Sequence, residues 1–239
     1  MASSAAEAIA NLRNREFKKE DSIKAKHEVY KRPKETKQTK FTLTGNVFMQ
    51  LFKKHAPENY RFTNENKKII FTIFRYFLKM KNFNEFGVIS NKASLDKGLL
   101  VWGNYGVGKT QLFEILHKVG EELVKKRNCF DVWFNIISAG SFVDDYMAAT
   151  KQDTSTFNIE TFYTGKLLID DLGFEKKVFN KTELLGQVIF ERERRDQLTF
   201  INTNHKPSEL SARYGERIGD RIPKMFNIIK WEGESFRHE

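Results

Sequence analysis

Five short apolar runs alternating with helical segments predict an α/β fold: a five-stranded parallel sheet flanked by helices, with a small basic helical segment ahead of it. Three observations carry that expectation. The runs GLLVW (98–102), DVWFNII (131–137), KLLID (166–170), LTFINT (198–203) and FNIIKW (226–231) are mostly apolar, the pattern of strands buried on both faces. The segments between them place apolar residues at helical spacing. Residues 1–40 hold 11 Lys and Arg against 6 Asp and Glu, a net of +5, with few large apolar side chains, so they differ in kind from the rest of the chain.

Taken in order, a marginal helix is expected over Ala5 to Lys19, a basic hinge near 31–42, and a short helix around Val47 to Lys54. Thr63 is placed to cap a helix whose residues Ile69, Ile70, Ile73, Phe74, Phe77 and Leu78 share one face. After a loop at 82–97 and the first strand, Lys109 to Lys126 reads as a helix with Leu112, Ile115, Leu116, Val119 and Leu123 on one side. Further helices are expected near 140–150, 182–196 and 207–221, each followed by a strand. The chain then divides into residues 1–60, a basic partner-binding segment and linker, and residues 61–239, a single globular core.

Composition bounds the function. With 239 residues, 40% hydrophobic and 13% aromatic, the chain has material for one domain plus an appendage, and wholesale disorder is excluded. A formal charge of +10 favours polyanionic partners such as nucleic acid or nucleotide phosphates. The single cysteine, Cys129, excludes an internal disulfide, and the five histidines show no zinc-ligand spacing; a cytoplasmic setting fits. No secretory signal is visible, and the most apolar stretch, 67–80, is interrupted by Arg75 and falls short of the roughly 18 residues a membrane span needs.

The chemistry concentrates at strand ends. Gly103-Asn104-Tyr105-Gly106-Val107-Gly108-Lys109-Thr110, with Gln111 next in the chain, satisfies G-x-x-x-x-G-K-S/T between a strand and an amphipathic helix, which makes it a phosphate-binding loop (P-loop). Glycines let backbone N–H groups turn onto phosphates, and the helix N-terminus adds roughly half a positive charge. Lys109 is the ligand expected for the terminal phosphates, Thr110 for Mg²⁺. The run LLIDDLG puts Asp170 and Asp171 at the C-terminal end of the third strand: Asp170 is the second Mg²⁺ candidate, and Asp171, pointing the other way by strand alternation, the candidate to orient or deprotonate a water. Asn204, at the tip of the fourth strand, is the candidate to sit beside a γ-phosphate, with Asn202 less favoured by register. Arg217 and Arg221, four apart, share a helix face; they either pair with Glu216 and Asp220 or serve as an arginine finger to a neighbouring subunit. Arg237 is a candidate phosphate contact in cis.

The ordered set GNYGVGKT, LLIDDLG, FINTN and YGERIGDRI, then an apolar strand, WEGES and FR, resembles the DnaC/IstB branch of the AAA+ ATPases over residues 62–239. The resemblance implies a P-loop NTPase core without the usual helical lid, Mg-ATP held by Lys109, Thr110 and Asp170, and Asn204 as first sensor. It further implies Arg221, supported by Arg217, as the finger of a homo-oligomer, and Arg237 as second sensor. Asp171 departs from the Glu usual beside the magnesium aspartate, which implies slow or partner-dependent hydrolysis. Members of the branch load replicative helicases onto single-stranded DNA or assist transposases. The expected function is therefore an ATP-dependent helicase loader that contacts its helicase through residues 1–60. The alternatives are an IstB-like transposition ATPase on duplex DNA and a nucleotide-gated adaptor with negligible hydrolysis.

Overall fold

The computed structural model describes residues 41–151 and 157–236. The helix expected at 5–19, almost all of the basic hinge and Arg237 lie outside the described residues. From Phe41 onward the described residues belong to one compact unit.

Helix α1 (Gly45–His55) starts where the Thr44 hydroxyl accepts from Val47 N at 3.4 Å. It does not belong to the N-terminal segment, where the division at residue 60 would put it. Phe48 and Phe52 are at most 1% exposed and share a cluster with the body of the core. Their rings lie 5.1 and 4.6 Å from Phe74 of α2 (Lys67–Phe77). At the other end of α1, Lys54 and His55 reach Glu122 at 2.7 Å, and Lys126 and Lys54 help hold that carboxyl down to about 2. The core thus begins about twenty residues earlier than the composition suggested, because the phenylalanines outweigh the surrounding basic residues.

Helix α2 buries Ile69, Ile70, Ile73, Phe74 and Phe77, as its spacing predicts. Thr63 acts one turn ahead of the cap position: its hydroxyl accepts from Asn66 N while Asn66 Oδ1 accepts from Thr63 N, so the two close a reciprocal turn before Lys67.

The sheet comprises β1 (Gly98–Gly103), β2 (Asn135–Ser138), β3 (Leu167–Asp170), β4 (Thr199–Thr203) and β5 (Phe226–Trp231). All neighbours pair in parallel, in the order β2-β3-β4-β1-β5. Helix α3 (Lys109–Arg127) covers one face and α4 (Ala139–Lys151) and α5 (Leu184–Arg194) the other, each face with its own apolar cluster. Because β4 lies between β1 and β3, the loop after β1 and the acids after β3 flank the end of one intervening strand.

Two elements differ from the sequence expectation. Residues 131–134 are not strand: Val132 and Phe134 are fully buried, but ladder pairing begins at Asn135, opposite Leu167, so the apolar run reports burial and not hydrogen bonding. The helix expected at 207–221 is two short ones, α6 (Pro207–Tyr214) and α7 (Glu216–Gly219), and a third, α8 (Ile222–Met225), follows directly. Gly215, at φ +91°, breaks the first, and Pro223 lies within the third.

Candidate functional site

The P-loop joins β1 to α3 at the C-terminal edge of the sheet. Gly106 and Gly108 adopt φ +75° and +99°, conformations that side-chain-bearing residues rarely hold, and they curl the chain so that α3 begins without a side-chain cap. Its first N–H groups therefore open on a cavity of about 330 Å³ lined by Tyr105, Lys109, Thr110, Glu114, Asp171 and Asn204. The C-terminal segment braces the loop from behind. Asn104 N donates to Trp231 O at 3.2 Å, Phe236 N donates to Gly106 O at 3.0 Å, and a Cβ on Gly106 would lie 2.0 Å from Ser235 Oγ.

Lys109 is 5% exposed and donates to Gly103 O at 3.0 Å, Asn104 O at 2.6 Å and Asn204 Oδ1 at 2.6 Å. Thr110 Oγ1 donates to Asp170 Oδ1 at 3.2 Å. The two sequence-distant signals thus converge on one hollow, with Asn204 between them. Burial first, then the neighbouring Asp171 charge, pushes the Asp170 carboxyl up to about 6. A hydroxyl and a carboxylate side by side are the hard oxygen donors that Mg²⁺ takes from a protein when phosphates supply the rest. Among the described residues there is no group of three or more His, Cys, Asp and Glu side chains that could hold a metal ion.

Asp171 does not continue the strand. It sits at φ +54° in the turn after β3, so it faces the cavity instead of the opposite side of the sheet as strand alternation implied. That turn is held by residues whose importance the sequence did not reveal. Leu172 N donates to Asn202 O at 3.1 Å, Thr203 Oγ1 donates to Leu172 O at 2.6 Å, and Gly173 N donates to the buried Glu175 at 2.9 Å. Arg213 donates to Gly173 O and Glu175 O, and the Tyr214 hydroxyl donates to Glu175 Oε1. Asn202, the less favoured of the two asparagines, is fully buried and donates to Thr110 Oγ1 at 3.0 Å and to Asp170 Oδ1. An amide side chain in a fully buried strand, directly after Phe200 and Ile201, was the available signal for it; Glu175 and Arg213 carried none.

Arg217 and Arg221 lie apart from this cavity in their own chain, which neither of them lines. Arg217 lies on α7 and Arg221 is the residue just before α8, yet both guanidinium groups stack on Phe190, at 4.1 and 5.1 Å from the ring centroid. Arg221 also donates to Glu193 at 3.1 Å and to Arg217 O at 2.6 Å.

A second cavity, of about 200 Å³, shares Gly108, Gln111 and Phe236 with the first and is flanked by Tyr60, Trp231 and the Asn59 and Asn66 side chains. Among the described residues no helix is long and apolar enough to cross a membrane.

The profile of the bacterial DnaA ATPase domain matches residues 84–227, from ahead of the P-loop into β5. The chain belongs to this family. Among curated relatives, the replicative helicase loader DnaI of Bacillus subtilis is 27% identical over 162 residues, 62% of this chain and 50% of DnaI. The chromosomal replication initiator DnaA of Borrelia hermsii is 25% identical over 195 residues, 81% of this chain and 36% of DnaA. The chain spans half the length of the first relative and about a third of the second. Among solved structures, the DnaC helicase loader superposes with a TM-score of 0.52 at 19% identity, covering 75% of this chain and 98% of that one. The replication initiator DnaA bound to AMPPCP and single-stranded DNA gives 0.50 at 16% identity, covering 76% and 50%. Fold and family agree: the five-stranded parallel sheet flanked by helices is the P-loop AAA+ fold, and the chain carries it within the bacterial DnaA ATPase-domain family.

Proposed function

We propose that this chain is an ATP-dependent loader of a replicative helicase, binding ATP with Mg²⁺, assembling with copies of itself on single-stranded DNA and delivering the helicase in the cytoplasm. The observation that carries the proposal is the gathering of Lys109, Thr110, Asp171 and Asn204 around one cavity at an uncapped helix N-terminus, with Asp170 hydrogen-bonded to Thr110 at its edge. DnaI, a replicative helicase loader by name, supports the loading role, and DnaA solved with a nucleotide and single-stranded DNA supports those two ligands.

In this reading Gly103 to Gln111 cradle the triphosphate and Lys109 exchanges its carbonyl and amide acceptors for phosphate oxygens. That exchange releases Asn204 Oδ1 to hold the attacking water, which Asp171 orients or deprotonates. Thr110 and Asp170 would hold Mg²⁺, which when bound neutralises charge on the phosphates. The base lies in the second cavity against Tyr60 and Trp231. Arg221, supported by Arg217, leaves Glu193 and reaches the neighbouring subunit's nucleotide, and Arg237 contacts the phosphates in its own chain. The basic segment ahead of α1 grips the helicase.

The test is capture of the full-length protein from its host, combined with DNA titrations at two ionic strengths. Recovery of a replicative helicase with a preference for single strands supports the reading. Recovery of a transposase with a preference for duplex DNA would replace it with a transposition ATPase. One observation favours a nucleotide-gated adaptor as second reading: Asp171 is a short carboxylate held in a left-handed turn, which limits its reach as a base. Nucleotide-dependent partner binding without measurable turnover would select that alternative.

A further inference from the structure

Asn202 occupies the next-to-last position of β4, where Val101 pairs with it on the β1 side and the preceding Ile201 pairs with Ile169 on the β3 side. It therefore stands between the strand that carries the P-loop and the strand that carries Asp170. Strand alternation puts it on the same face as Phe200, whose ring is fully buried in the cluster under α3. Desolvating an amide there without partners costs a few kcal/mol, so an asparagine in that row calls for a reason. Its Nδ2 donates to Thr110 Oγ1 at 3.0 Å and to Asp170 Oδ1, the same pair that Thr110 Oγ1 closes with its own bond to Asp170 at 3.2 Å. The three side chains form a closed triangle. Asn202 Oδ1 has no partner among the described residues, and a native group left so calls for an explanation that packing alone does not supply.

We propose that Asn202 is a positioning residue for the divalent ion: its amide fixes the Thr110 hydroxyl and the Asp170 carboxylate in the relative orientation in which both present oxygen to one cation. This deepens the nucleotide reading and rests on it. Asn204 answers to Lys109 and the phosphates, whereas Asn202 answers to the two metal candidates, so the strand end divides its work between two asparagines. Residues that orient ligands in this way change metal affinity by about 10- to 100-fold when removed. A residue that only fills space leaves metal affinity alone.

The experiment reads binding of a fluorescent N-methylanthraniloyl-ATP to the full chain, first in EDTA and then across a Mg²⁺ titration, for the parent and for Asn202→Leu. The expected result is an EDTA affinity within about twofold of the parent, with the Mg²⁺ concentration for half-maximal tightening raised at least tenfold. Should the leucine variant fail to fold, Asn202→Ser keeps a smaller polar group there, and the same rise in Mg²⁺ requirement is expected. A folded variant that titrates with Mg²⁺ like the parent, whatever its melting temperature, overturns the positioning role. If the parent itself binds no nucleotide or shows no tightening with Mg²⁺, the nucleotide reading falls and this proposal falls with it, a result that no Asn202 variant can mimic.

Discussion

Asp170 carries a carboxyl raised to about 6 from an ordinary value of 3.8, by burial and by the Asp171 charge. A raised value means that the folded state holds the proton more tightly than the unfolded one, so this group costs stability above pH 6 and the cost fades as pH falls toward 4. Asp170→Asn is therefore expected to raise the melting temperature of the nucleotide-free protein at pH 7.5, by roughly 2–6 °C for a gain of about 1–2 kcal/mol, as thermal unfolding in EDTA would show. No such gain is expected at pH 4. The same substitution removes a proposed Mg²⁺ ligand, so tightening of nucleotide binding by the ion is expected to be lost. In the parent, proton competition should weaken that tightening about tenfold per pH unit below about 6. Lys109→Ala removes a buried ammonium with three oxygen partners; nucleotide affinity is expected to fall by about 100-fold or more, measured in EDTA so that the metal plays no part. An unchanged affinity would remove the phosphate-binding assignment. At this scale the sequence was legible where chemistry is encoded by spacing, as at Gly103 to Thr110. It was silent where a side chain acts through a neighbour, as Asn202 does through Asp170 and Arg213 through Glu175.

Helix α5 places Arg192, fully buried, against the end of the 3₁₀ turn Ile159–Tyr163 and the start of β4. It donates to Phe162 O and Gly165 O at 2.6 Å, to Leu198 O at 2.8 Å and to Thr199 Oγ1 at 2.9 Å, with no carboxylate among these partners. The guanidinium fork thus ties together the chain where it enters β3 and β4, beside the backbone bond from Leu167 N to Leu198 O at 3.2 Å. Arg192→Met keeps much of the volume but takes their donor from the Phe162 and Gly165 carbonyls. A loss of about 3 kcal/mol is expected, seen as a fall of roughly 6–12 °C in thermal unfolding, with nucleotide affinity per folded molecule little changed. The periodicities of α2 and α3 were readable because one face of each is uniformly apolar. The break at Gly215 and the late start of β2 depend on backbone pairing, which apolarity does not report.

Arg221 is occupied by Glu193 and Phe190 within its own chain, so a role at a neighbouring nucleotide requires it to leave a neutralising partner. Arg221→Ala is expected to leave nucleotide binding intact and to lower hydrolysis by about 100-fold or more, with activity partly regained on mixing with Lys109→Ala. Mixing without any recovery, both variants being folded, would leave Arg221 as a structural partner of Glu193. The aromatic junction of α1 with α2 is tested by Phe52→Ala, for which a loss of about 3–5 kcal/mol is expected in denaturant unfolding. By itself the sequence determined the class of fold, the phosphate loop and the acidic strand end, because glycine spacing, a lysine before a helix and apolar strands each have a local physical meaning. Only the tertiary structure decided that α1 belongs to the core, that Asp171 turns into the cavity, and that Asn202 rather than Asn204 meets Thr110 and Asp170. Each of those outcomes depends on which strands and helices become neighbours, a matter of long-range packing that no local pattern records.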